Sequence, residues 1–203
     1  MSTDEPGARR GRPPGTSARE LELVALRLFG EQGFEETTVD QIAAGAGVSR
    51  RTYFRYFESK SDAIWRDFDQ EVEAIRERLA EAPSHLSIMD AVREAVLAVN
   101  HYRAEDVAEL RTRMNLIGSV DEIAASATRH YDAWERAIAD FVARRSGQPP
   151  DSLYPRTVAL ATLATCRAAY EQWASVADSD LTHYLDAALR ALSTGFRDLD
   201  AAT

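Results

Sequence analysis

The 203-residue sequence has one lysine, Lys60, and one cysteine, Cys166. A lone cysteine excludes an internal disulfide and fits a reducing compartment. Cys166 lies in an alanine-rich run, where a buried structural thiol is expected. There is no stretch of about 18 uninterrupted apolar residues for a membrane span, and the first residues lack the apolar core of a signal peptide. A cytoplasmic protein is therefore expected. Period-two alternation is missing, so no convincing strand is read anywhere. Glycine-rich phosphate loops are missing too. The histidines, His85, His101, His130 and His183, are far apart and form no i, i+4 ligand pair, and Cys166 has no neighbouring base in sequence. Catalytic residues, metals and cofactors are accordingly not expected.

Hydrophobic residues make up 45% of the chain, ample for a core of ordinary size. The net charge of -9 argues at first against nucleic acid, whose non-specific attraction comes largely from cations displacing phosphate counterions. The charge is unevenly spread. Nine Lys/Arg against ten Asp/Glu precede residue 66, a net of -1, so -8 lies downstream. The early cations cluster in an N-terminal tail and in one short segment, which gives an acidic body with a locally basic head.

Residues 1–16 combine Gly, Pro and the cations Arg9, Arg10 and Arg12, a disordered basic arm by composition. A solvated terminus is the plainer reading. The slim Arg10–Pro13 step also suits the narrow, negative minor groove of A·T-rich DNA. Ser17 with Glu20 forms a capping box, and Leu21, Val24, Ala25, Leu28 and Phe29 recur at helical spacing up to Gly30 and Gly33. Thr37 and Thr38 open a second helix that Gly47 ends, and Ser49 can cap a third two residues later. That spacing is the geometry of a helix-turn-helix. A long amphipathic helix runs from Ser59 to Pro83. Further helices are expected over Ile88–Val99, Val107–Ile117, Val120–Phe141, about Ser152–Ser175 and about Asp180–Leu199. The fold is read as all-α with about nine helices, divided into the arm, a helix-turn-helix domain over 17–63, and a helical body over 64–203.

The third helix carries the chemistry. Arg50, Arg51 and Arg55 can each pair bidentately with guanine O6 and N7, and Thr52 and Tyr56 are neutral donors. Ser49 starts the helix, while Tyr53 and Phe57 face its core. Lys60, at the start of the long helix, suits a phosphate, as does Thr38 on the second helix. In the body, Trp65, Phe68, Leu110, Met114, Ile117, Ile123, Tyr131, Trp134, Phe141, Tyr170 and Trp173 are spread over helices that would enclose its middle. Each alone is more readily a core residue. Together they suit an apolar cavity, with Asn100, His101, Arg113 and His130 able to hold a polar head. Leu181, Leu185, Ala188, Leu189, Leu192 and Phe196 line one face of the last helix. Ala159, Ala161, Ala164, Ala168 and Ala169 allow close approach on the helix before it. These two helices form either a core pair or a symmetric four-helix homodimer interface.

The Gly33-Phe34, Thr38-Val39, Ile42-Ala43, Ala46-to-Ser49 and Phe57-to-Lys60 steps together resemble the DNA-binding domain of the TetR family of bacterial repressors. The resemblance covers nearly a quarter of the chain and implies a helical effector-binding and dimerisation body behind it. Gly11-Arg12-Pro13-Pro14, Arg50-Arg51-Thr52, Asp67-Phe68-Asp69 and Ala169-to-Trp173 are similar to a narrower group, the TetR-type regulators associated with mycofactocin gene clusters. Two positions depart from the wider pattern. Arg51 stands where Gly is common, adding a contact, and Phe54 stands where a Tyr usually meets a phosphate, a role left to Tyr53 or Tyr56. The resemblance implies a repressor released from a palindromic double-stranded operator by a small apolar effector, a long-chain acyl-CoA foremost. The alternatives are a lipid-carrying helical protein and an efflux repressor answering aromatic compounds.

Overall fold

The computed structural model describes residues 17–102, 106–176 and 180–195. Among these the fold is all helical, with nine helices and no strand. The chain divides into two compact units, Met1–Glu58 and Ser59–Thr203.

The first unit holds α1 (Ala18–Gln32), α2 (Val39–Gly45) and α3 (Arg50–Tyr53). Local chemistry sets each start. The Ser17 side chain accepts from the Glu20 N–H while the Glu20 carboxylate accepts from the Ser17 N–H, a reciprocal box that satisfies two otherwise orphaned donors. Thr38 and Gln41 repeat the arrangement at α2. Between α1 and α2 the chain turns at Gly33, φ 90, and the Thr37 hydroxyl donates to the carbonyls of Gly33 (2.8 Å) and Leu28 (3.3 Å). Leu21, Ala25, Phe29, Phe34, Ile42, Tyr53 and Phe57 are buried, with the Phe29 and Phe34 rings 5.0 Å apart.

The second unit comprises α4 (Asp62–Ala80), α5 (Ile88–Val99), α6 (Val107–Ser119), α7 (Asp121–Ser146), α8 (Leu153–Val176) and α9 (Leu181–Thr194). Its core runs through α4, α5, α7, α8 and α9, where Val92, Ile138, Val142, Leu185 and Leu189 are wholly buried. Each such side chain contributes about 1.5–3 kcal/mol relative to exposure. The last helix was expected to reach about Leu199 but ends at Thr194, because Gly195 takes the left-handed conformation (φ 68) that closes a helix. Leu199 and Phe196 lie outside the described residues. Of the α8 alanines, Ala159 and Ala169 are buried, whereas Ala164 and Ala168 are exposed in the single chain. Among the described residues no helix is long and apolar enough to cross a membrane.

Candidate functional site

The reading face of the first unit is built on a turn. Gly47 sits at φ 68, and its N–H and that of Val48 close the α2 end on the carbonyls of Ala44 (3.0 Å) and Ala43 (2.9 Å). Two residues later Ser49 caps α3, its Oγ accepting from the Thr52 N–H and lying 3.0 Å from Thr52 Oγ1. The short helix thus projects its cations from a fixed base.

Those cations are in different states. Arg50 pairs with Asp40 of α2 at 3.1 Å and lies over the Phe54 ring at 5.2 Å. Arg55 donates to the Tyr56 hydroxyl at 2.9 Å and covers that ring at 4.8 Å. Arg51 is exposed and has no such partner among the described residues. Phe54 and Tyr56 are 43% and 39% exposed, an apolar element between the guanidinium groups.

Tyr53, expected among the DNA contacts, is wholly buried, with its ring 5.1 Å from Phe57 and 5.5 Å from Phe54. It supports α3 from inside, and of the two tyrosines considered for a phosphate only Tyr56 is exposed. Thr38 is exposed, but its hydroxyl is engaged with Gln41 at 3.0 Å. Lys60 belongs to the second unit, in the turn before α4. Arg9, Arg10 and Arg12 lie outside the described residues.

The second unit encloses a cavity of about 530 Å³, within the usual range for small-molecule sites. Of the fifteen residues considered for an apolar cavity and its polar head, ten line it: Trp65, Phe68, Asn100, Leu110, Arg113, Met114, Ile117, Tyr131, Trp134 and Tyr170; Ile123 and Phe141 are buried in the core instead, and His101 and His130 are not on the wall. Trp173 is not on its wall and is 1% exposed in the core. The aromatic wall has edge-to-face geometry, with Trp65, Phe68 and Tyr131 meeting at 5.6–5.8 Å and 72–86°. Trp65 also donates from Nε1 to Ser126 Oγ (2.7 Å) and stacks on His130 at 4.7 Å. His130 in turn holds Asp69 through Nδ1 at 2.6 Å. α4 is therefore tied to α7 directly beside the cavity.

The polar part of the wall joins the expected Asn100, Arg113 and Tyr170 to two residues the sequence did not single out, Glu71 and Tyr102. The Tyr102 hydroxyl donates to Glu71, and the Tyr170 hydroxyl to Asn100 Oδ1, while Asn100 Nδ2 donates to the Val96 carbonyl (2.8 Å). Burial, and then the Glu71 carboxylate, push both phenols far above their ordinary pKa, so they remain proton donors. Arg113, 3% exposed, is held by Asp67 (2.9 Å) and Glu109 (3.0 Å). Cys166, also on the wall, has its thiol pushed up to about 12 by burial. Glu71 was detectable in principle, since it falls between Phe68 and Ile75 on the apolar stripe of α4, where a charge is out of place. Tyr102 lies between helices and gave no periodic signal.

Residues 23–62 match the family model for bacterial regulatory proteins of the tetR family, and residues 86–197 match that of the MftR C-terminal domain. A protein of Mycobacterium tuberculosis that carries the name mycofactocin biosynthesis transcriptional regulator MftR is 36% identical, over 95% of this chain and 98% of its own. The HTH-type transcriptional regulator TcmR of Streptomyces glaucescens is 30% identical, over 88% of this chain and 86% of its own. Among solved structures, Thermus thermophilus FadR in complex with lauroyl-CoA has a TM-score of 0.61 at 22% identity, covering 88% of this chain and 94% of that one. Bacillus subtilis FadR in complex with stearoyl-CoA gives 0.59 at 17% identity, covering 88% and 99%. The relatives and families are regulators, not enzymes. With its helix-turn-helix unit and its MftR-type C-terminal domain, this chain belongs to the TetR family of bacterial transcriptional regulators and is a DNA-binding protein.

Proposed function

We propose that the protein is a homodimeric repressor released from a near-palindromic operator by an apolar effector in the cavity of its second unit. The observation that carries this reading is the cavity itself, whose aromatic and aliphatic wall would bury an acyl chain or a flat ring system. A long-chain acyl-CoA is the favoured effector, supported by the lauroyl-CoA and stearoyl-CoA complexes of the two FadR proteins that share the fold. The acyl chain would lie in the cavity and the charged carrier at its exposed rim, beside Arg167.

Arg51, Arg50 and Arg55 would read base edges, with Thr52 and Tyr56 as neutral donors beside them. Ser49, Thr38 and Lys60 would set the register on phosphates. The arm with Arg9, Arg10 and Arg12 would enter the adjacent minor groove. α8 and α9 would pair with those of a second copy, covering the exposed Leu160, Ala164 and Ala168. Such dimers dock on half-sites roughly 34 Å apart, which is why the operator is expected to be near-palindromic. The effector acts by linkage: it binds better to the body conformation in which the two reading units are misspaced, and weakens DNA binding by that differential affinity. α4 would transmit the change, since it lines the cavity and begins within a few residues of the first unit.

The test is selection of genomic fragments by the purified protein, with and without a panel of acyl-CoAs and aromatic compounds. One palindromic motif, lost with an acyl-CoA, is the expected result. A motif lost only with an aromatic compound would replace the effector class, and absence of any motif would overturn the reading.

A further inference from the structure

Phe54 is a large side chain on the reading face with no hydrogen to give. It follows α3 in ordinary helical backbone geometry (φ -69, ψ -2) and keeps 43% of its surface exposed. Its neighbours fix its direction. Tyr53 and Phe57 turn inward and are buried, with their rings 5.1 Å apart. Phe54 stands one turn beyond Arg50, whose guanidinium lies over its ring at 5.2 Å. At about 100° per residue it falls between Arg50 and Arg51 around the helix. The buried Tyr53 ring meets it edge to face at 5.5 Å, so the exposed ring rests on a fixed support.

Where α3 enters a major groove, the chemistry of that ring singles out one partner. Guanine, adenine and cytosine are told apart there by hydrogen-bond donors and acceptors, and thymine alone adds a methyl group at C5. A hydrocarbon ring set against a donor or acceptor strips it of water and returns no hydrogen bond. The same holds at a phosphate, to which a phenylalanine has no hydroxyl to offer. Against a methyl group the ring frees two apolar surfaces from water at once. Over the four residues from Arg50 the helix rises about 6 Å. A base step spans about 3.4 Å. The methyl group therefore belongs to a base pair one or two steps from the one that Arg50 meets.

We infer that Phe54 is a specificity residue of the DNA contact and selects a thymine by its C5-methyl group. The inference rests on α3 being the helix that meets the bases, and is independent of the cavity and its effector.

The full-length protein is used to select from two randomised duplex libraries, one made with thymine and one with uracil, which lacks only the methyl group. The wild-type protein recovers a thymine position from the first library and loses that preference in the second. In a recovered duplex, uracil at that position lowers affinity about fourfold by fluorescence anisotropy, the worth of one buried methyl group. 5-Methylcytosine there binds better than cytosine for the same reason. Phe54→Ala and Phe54→Asn bring the ratio of thymine to uracil affinity to about one, whereas Phe54→Leu, still apolar, keeps a preference for thymine. The ratio is the readout because Phe54→Ala also frees Arg50 from its ring contact and changes overall affinity by that route. Absence of any methyl-sensitive position, or a sensitivity that persists unchanged in both the Ala and Asn variants, overturns the inference. Arg51→Ala is selected alongside. A motif that Arg51→Ala alters, without a methyl effect of Phe54, removes the role of Phe54 alone; a motif that none of these variants alters overturns the assignment of α3 as well.

Discussion

Two neighbouring arginines on α3 should differ in what they contribute to DNA affinity, because only one of them has to leave an intramolecular partner. A bidentate contact to guanine is worth about 1–3 kcal/mol of discrimination. Arg51 has no ion pair or ring contact among the described residues, so that gain is undiminished. Arg50 must leave Asp40, at 3.1 Å, and the Phe54 ring, at 5.2 Å. Its pair has side chains 57% and 67% exposed and is screened by solvent to about 0.2–1 kcal/mol. The exposed cation–π contact adds about 0.5–1 kcal/mol. Together these withhold about 1–2 kcal/mol, so Arg51→Ala should cost roughly five- to thirty-fold more operator affinity than Arg50→Ala. Fluorescence anisotropy with a labelled operator and a random duplex measures this. Asp40→Ala should tighten operator binding, and less so in the Arg50→Ala background, a coupling that a double-mutant cycle isolates. Larger losses from Arg50→Ala than from Arg51→Ala, or no coupling with Asp40, would mean that Asp40 and the Phe54 ring do not hold Arg50 back from DNA.

Three further outcomes are expected. Lys60→Ala, if Lys60 meets a phosphate, weakens operator and random duplex about equally and flattens the salt dependence; a loss confined to the operator would assign it a base instead. Gly47→Ala forces a β-carbon into the left-handed region at φ 68, with no atom nearby to clash, so it costs about 1–2 kcal/mol by backbone strain alone, read as a lower urea midpoint at unchanged slope. Cys166 should resist thiol reagents in the native protein at pH 8. Its folded pKa of about 12 lies above the ordinary 9.0, so the native state holds its proton more tightly. The associated stability is complete below pH 9 and is lost as pH rises from there toward 12; rapid stoichiometric labelling at pH 8 would contradict the burial.

Much of the first unit was legible because its determinants are local. Ser17 with Glu20, Thr38 with Gln41, and Ser49 with Thr52 each lie within one turn, and side chain and backbone meet whatever the rest of the chain does. Tyr53 shows the limit: one helical turn cannot reveal whether its ring packs inward or its hydroxyl reaches out, and packing against Phe54 and Phe57 decides. In the second unit the aromatic wall followed from helical stripes. That Glu71 and Tyr102 join the expected Tyr170 and Asn100 did not, because their meeting depends on how α4, α5 and α8 cross, which spacing along the sequence does not encode.

Whether the body's cavity controls the reading unit is decided by titrating dodecanoyl-CoA and hexadecanoyl-CoA into a preformed protein–operator complex. At saturation at least one of them should weaken operator binding by about fivefold or more, the lower end of typical allosteric coupling. Thioesters that occupy the cavity by calorimetry yet leave operator affinity unchanged would contradict that control.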